Sequence, residues 1–364
     1  MKSTQLLVIG IVVAVVGAAI ALYGMTLWDV HRVAWGLLVA LYEYFGVVAA
    51  GSAIIASLIV LARLAGYLDE SAERVARLGL VLALAGLIAA GFTVGLKSGF
   101  PSTLTVAYFS IKLDSAIGRM LLLLPAFIVV TLVAILVSTT RNLREVKALV
   151  ASLVIIIAVL AYANAGSVFQ SMASVPLWHV TPMTALFIAG AVAWGASAQS
   201  LYVLASERRL ALTLARAFGL AIALGVLAYA TILYFTKAGY TWIAAEAWSR
   251  IVESALFTLS FYILGLIIPL VLGIYVFVSG DTRALPIAAI SAIVGGFIVH
   301  SMLIIVPQTL ALTGFREVVE IPYHIAADEA LGAVGATILL LGLLIAGVGA
   351  LNILEARQVK QASA

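Results

Sequence analysis

The chain has 364 residues, 65% of them hydrophobic and only 10% charged, with a formal net charge of +4 and a mean hydropathy of +1.22. Soluble domains carry about 25% charged residues, so this supply cannot build a water-exposed surface, and the bilayer must be the solvent. Cysteine is absent, which excludes a disulfide framework and thiolate-held metals, and the basic residues lie in short loops, where they report topology and lipid contact rather than nucleic acid.

A helix needs about 20 apolar residues to cross the hydrocarbon core, and ten segments meet that test. The first, 5–27, follows Lys2. It is longer than a signal-peptide core, and Tyr23-Gly24-Met25-Thr26-Leu27-Trp28 lacks a small-x-small cleavage pattern, so it reads as a retained helix. The second, 33–64, carries Trp35-Gly36, Glu43 and the small run Ala49-Ala50-Gly51-Ser52-Ala53. Spans at 78–96, 117–138 and 148–168 follow, then 183–205, 210–235, 252–278, 286–306 and 331–354. Pro125 and Pro269 lie inside the fourth and eighth and predict kinks there.

With the N-terminus in the cytoplasm, thirteen of the 20 basic residues face inward, Arg74, Arg144 and Arg357 among them, and seven face outward. The positive-inside rule thus favours a multi-pass protein of the cytoplasmic (plasma) membrane with both termini inside. The longer outer loops, near 97–116, 166–182, 236–251 and 307–330, hold Tyr108, Trp178, Trp242, Trp248 and Tyr323, residues that mostly anchor a membrane interface.

The second and sixth segments look alike. Trp35-Gly36, Phe45-Gly46 and the small run have counterparts in Trp178-His179, Phe187, Gly190, Ala193 and Gly195-Ala196-Ser197-Ala198. Small-residue faces let helix backbones approach closely. The pattern predicts an all-α membrane protein with two parallel four-helix bundles, helices 2–5 (33–168) and 6–9 (183–306). Peripheral helices 1 (5–27) and 10 (331–354) complete a single integral domain, 1–364.

Glu43 is the one acidic residue well inside an apolar span, a costly position that marks either a protonated structural carboxyl or a proton-accepting group. His300 is the one deep histidine, while His31, His179 and His324 lie at the rim. Facing axial ligands for two haems are therefore missing. Asp29, His31, Arg32, Lys97, Asp114, Arg119, Tyr162 and Asn164 gather at the outer ends of helices 2–5. Exchange between quinone and quinol moves two protons with two electrons and needs hydrogen-bond partners beside a titratable group in an apolar pocket, a task that His, Tyr, Asp and Glu suit. No hydrolase, kinase or metalloprotease pattern is present.

The stretches Trp35-Gly36-Leu37-Leu38-Val39-Ala40-Leu41-Tyr42-Glu43-Tyr44-Phe45-Gly46-Val47-Val48-Ala49-Ala50-Gly51 and Pro176-Leu177-Trp178-His179-Val180-Thr181-Pro182-Met183-Thr184-Ala185-Leu186-Phe187 resemble the NrfD/PsrC family, the membrane subunits of polysulfide reductase and alternative complex III. The ten-helix layout is similar to that of its longer members. The resemblance implies a subunit without haem or iron–sulfur cluster that exchanges electrons between a membrane quinone, menaquinone or similar, and an iron–sulfur partner on the outer face. A molybdopterin catalytic subunit would lie beyond that partner. It also implies a quinone site in the first bundle near the outer surface, at His31, Glu43, Tyr162, Asp114 and Asn164. Trp35, Trp178, His179 and His300 become structural or partner contacts. A secondary transporter built on parallel repeats and a mono-haem cytochrome are the competing readings.

Overall fold

The computed structural model describes residues 2–27, 35–98, 102–140, 143–236, 241–312, 318–320 and 323–363. The chain is helical: α1 (Ser3–Gly24), α2 (Leu37–Leu64), α3 (Ser71–Lys97), α4 (Ser102–Phe109), α5 (Ala116–Thr139), α6 (Arg144–Gln170), α7 (Pro176–Val180) and α8 (Met183–Ser206). Then come α9 (Arg208–Thr213), α10 (Ala215–Thr236), α11 (Trp242–Val252), α12 (Ala255–Phe257), a π-helical stretch Thr258–Ile267, α13 (Ile268–Ser279), α14 (Leu285–Ile305) and α15 (Ala327–Ser363). Leu310–Leu312 and Val318–Glu320 form a short antiparallel strand pair.

Among the described residues, ten helical spans are long and apolar enough to cross a membrane, and each coincides with a predicted segment. The third begins earlier than the hydropathy suggests, at Ser71, because its first turns hold Glu73, Arg74 and Arg77 in ion pairs rather than in lipid. α2 packs on α3, α6 and α8, and α5 packs on α3 and α6. α8 and α10 pack with each other, α8 also on α14, and α10 on α13.

The two small-residue faces read from the sequence meet each other. Gly51 on α2 and Gly195 on α8 bring the backbones together so closely that a methyl group on Gly51 would overlap the Ala191 carbonyl. Ser52 Oγ donates to the Gly195 carbonyl at 3.3 Å across the same crossing.

α1 and α15 run antiparallel along each other. Gly10, Gly17 and Gly24 on one helix and Gly335, Gly342 and Gly349 on the other repeat every seventh residue, and each lies against the partner helix. Seven residues are close to two helical turns, so the glycines of each helix fall on one stripe and the backbones can touch. The other faces of α1, with Val8, Ile11, Val12 and Val15, are exposed and apolar.

Pro125 sits inside α5. Pro269 follows the π-helical stretch, where Ile268 N–H bonds the Ile263 carbonyl five residues back. In that register Leu264 is the acceptor that Pro269, lacking an N–H, leaves unserved. Ser291 Oγ on α14 donates to the Leu264 carbonyl at 2.6 Å and fills the gap.

Candidate functional site

A cavity of about 490 Å³ opens at the end of the molecule where α2 begins. Trp35, Val39, Tyr42 and Glu43 line it from the start of α2, Gly91, Val94 and Lys97 from the end of α3, and Tyr108 from α4. Ile117, Met120, Leu121, Leu124, Pro125 and Ile128 line it from α5, and Val168 from α6. Its size falls in the ordinary range for small-molecule sites, with apolar walls and few polar groups.

Glu43 is 3% exposed, and its Oε2 has no hydrogen-bond partner among the described residues. A carboxyl in that state must be neutral or must meet a polar ligand. Pro125 removes a backbone donor beside the cavity. It offers no N–H to the carbonyl of Leu121 four residues earlier, and both residues face the cavity.

Lys97 supplies the cation of the site. Its Nζ lies 3.3 Å from Glu329 Oε1, on the first turn of α15, and the Glu329 side chain is only 1% exposed. Tyr323 donates its hydroxyl to Glu329 Oε2 at 2.9 Å, and the Leu37 N–H at the start of α2 points to the same oxygen at 3.4 Å. Burial, with the Glu329 carboxylate beside it, pushes the Tyr323 hydroxyl above its ordinary pKa, so it stays a donor. Gly36 leaves room for this carboxylate, since a methyl group there would collide with it.

His31, expected at the mouth of the site, lies outside the described residues. Of the other expected residues, Glu43 and Trp35 line the cavity, while Tyr162, Asn164 and Asp114 do not. Tyr162 is 1% exposed, with its hydroxyl lodged against Gly46, one helical turn beyond Glu43. That hydroxyl also lacks a hydrogen-bond partner among the described residues. Asn164 is committed elsewhere: its Oδ1 accepts from Arg119 Nε at 2.8 Å and its Nδ2 donates to the Ala116 carbonyl at 2.8 Å, tying α6 to the start of α5. Asp114 is exposed, and its backbone carbonyl accepts from Arg119 Nη1.

The tryptophans pack against each other and against neighbouring rings. Trp35 stacks on Trp178 at 5.2 Å, and Phe169 meets both rings edge-on at 5.1 Å. Gln308 clamps the Trp35 backbone, accepting from its N–H at 2.9 Å and donating to its carbonyl at 2.7 Å. Trp178 Nε1 donates to the Leu303 carbonyl. His179 is exposed, with Nδ1 2.7 Å from the Gln170 carbonyl. His300 is buried among the rings of Tyr44, Phe187 and Trp194, at the junction of α2, α8 and α14.

Sequence reasoning missed the roles of Glu329 and Tyr323. Both stand more than two hundred residues from Lys97, and only the antiparallel return of α15 brings them to it. An acidic residue opening an otherwise apolar helix was the available signal. Tyr108 was visible as an aromatic residue of an outer loop and Tyr42 as a neighbour of Glu43 inside the second span, but nothing in the sequence marked either as a cavity wall. No curated protein matches the chain. The family described as Polysulphide reductase, NrfD matches residues 27–311, from just ahead of α2 to the strand after α14. With its cavity built wholly inside that matched region, the chain belongs to the NrfD family, a family of quinone-interacting membrane subunits of oxidoreductase complexes.

Proposed function

We propose that the chain exchanges electrons between a membrane quinone bound in the α2–α6 cavity and an iron–sulfur subunit docked over the mouth of that cavity. The observation that carries this reading is Glu43, whose Oε2 has no hydrogen-bond partner among the described residues, in the wall of an apolar cavity of about 490 Å³. Quinol oxidation releases two protons and two electrons, and quinone reduction takes them up. Glu43 is the group in the wall that can accept or return a proton at the ring oxygen. Lys97, held by Glu329, offers an N–H donor to the other oxygen, and the Leu121 carbonyl can accept from a quinol hydroxyl. Tyr162, one turn below Glu43, extends the polar route away from the ring.

Ile117 lines the cavity and is 50% exposed on the flank of α5, which supports sideways access for an isoprenoid tail from the bilayer. Electrons pass from the ring to a cluster held by the partner. The cavity mouth faces the outer side, and both termini lie in the cytoplasm, as the loop charges favour. A molybdopterin catalytic subunit beyond the iron–sulfur protein would carry the terminal chemistry.

The test is isolation of the chain with its partners from native membranes in mild detergent, with mass spectrometry of the subunits and extraction of bound quinone. The expected result is an iron–sulfur subunit with quinone present, and a Glu43→Gln complex that assembles normally but turns over quinol at least about 10-fold more slowly. A chain recovered alone and free of quinone would refute the electron-transfer reading. Unchanged turnover in Glu43→Gln would refute the site.

A further inference from the structure

A second cavity, of about 1130 Å³, lies at the opposite end of the molecule, the end that carries both chain termini. It is bounded by the last turn of α2, the first turns of α3 and α6, the end of α5 and the last part of α15. Arg63, Arg74, Arg77, Arg144 and Lys147 face it, against the carboxylates of Glu70, Glu73 and Glu355, and Glu207 lies 3.5 Å from Arg74 just outside the lining, which leaves one positive charge in excess.

The carboxylates are saturated by some of these cations. Glu73 takes Lys147 at 2.5 Å, Arg63 at 3.1 Å and Arg77 at 3.6 Å, and Glu355 takes Arg74 and Arg77. Two donors remain. Arg77 Nε is buried with no hydrogen-bond partner among the described residues. Arg144 is exposed, donates to the Leu64 carbonyl at 2.7 Å and pairs with no carboxylate among the described residues. α3 and α6 both begin at this cavity, so the positive ends of two helix dipoles add to the field.

We propose that this cavity binds a phosphate group, supplied by the headgroup of an anionic phospholipid. Three features favour that chemistry. The excess charge is positive, the cation without a carboxylate among the described residues, Arg144, is an exposed guanidinium whose fork matches phosphate oxygens, and the cavity sits at the level where transmembrane helices end and headgroups begin. A cluster that merely solvated helix ends would pair its charges evenly and leave no buried donor. The site is independent of the quinone cavity and of the electron-transfer reading.

The full chain, purified with its partners and stripped of lipid, is to be titrated with phosphatidylglycerol, with phosphatidylcholine and with inorganic phosphate. Binding is read by native mass spectrometry and by melting temperature. Phosphatidylglycerol should bind and raise the melting temperature, and Arg144→Gln should weaken that binding about five-fold. Arg250→Gln, at the far end of the molecule, should leave it unchanged. Because Arg144 is exposed, the variant keeps its fold, and Arg144→Lys should restore part of the affinity. Protection by inorganic phosphate that Arg144→Gln removes would uphold the phosphate site and assign it a soluble ligand. Equal binding of the two lipids, or phosphatidylglycerol binding indifferent to Arg144→Gln, would overturn the proposal.

Discussion

Glu329 of α15 reaches Lys97 of α3 across 3.3 Å, and this contact joins the last long helix to the wall of the α2–α6 cavity. Glu329 lies beyond residue 311, where the family match ends, so a helix outside the matched region holds the one cation that faces the cavity among the described residues. The pair has a thermodynamic and a functional side. Removing one partner of a buried pair leaves the other charge uncompensated, at a cost of about 3–5 kcal/mol. Glu329→Ala should therefore lower the melting temperature sharply, and Glu329→Ala with Lys97→Met should recover part of the loss. A double-mutant cycle in detergent measures this, and additive losses would show that the pair is not coupled.

The same contact should appear in kinetics. Glu329→Gln keeps the hydrogen bond from Tyr323 but frees Lys97 to swing, so we expect a raised KM for quinol with kcat changed less. Equal losses of kcat and apparent affinity in steady-state assays of the complex would contradict a positioning role.

The α2–α8 crossing predicts a contrast between two glycines. A methyl group at Gly51 has no space against Ala191, whereas one at Gly91 would meet its nearest neighbour, Leu124, at 3.8 Å. Gly51→Ala should cost about 1–3 kcal/mol by overpacking, and Gly91→Ala should be close to neutral in thermal melts. Gly91→Leu should instead fill part of the cavity. The expected readout is a loss of copurifying quinone without loss of fold.

The π-helical stretch predicts non-additivity. Ser291→Ala leaves the Leu264 carbonyl without its donor and should cost about 1–3 kcal/mol. Pro269→Ala restores an N–H to that position. In the Pro269→Ala background Ser291→Ala should therefore cost much less, and equal costs in the two backgrounds would disprove the compensation.

The transmembrane spans were legible because each is written in a contiguous run of apolar residues. Hydropathy found all ten, and it fell short at the start of α3 and the end of α15; the charged first turns of α3 read as loop because their ion-pair partners Lys147 and Glu355 lie far along the chain. Glu43 was legible for the same local reason, an acid inside an apolar run. Tyr162 and Asn164 could not be told apart by type or depth. Only their neighbours separate them, Gly46 for one and Arg119 with Ala116 for the other. Glu329 and Gln308 act across more than two hundred residues; Gln308 left no local trace, and Glu329 left only an acid at the start of an apolar helix, with nothing to name its partner. The two small-residue faces were seen, but not that they would face each other.

The seam between α1 and α15 sets a condition on biosynthesis. α1 is inserted before the other described helices and exposes a row of glycines that nothing in its sequence neighbourhood can cover. Its partner emerges from the ribosome only after the helices of the cavity have been made. Until then α1 is held against the other helices by the small contact of Ala21 with Leu38 and Leu96. Loss of α15 would strip the glycine row of α1 of its partner as well as Lys97 of Glu329, so it would be a defect of membrane assembly besides one of the cavity.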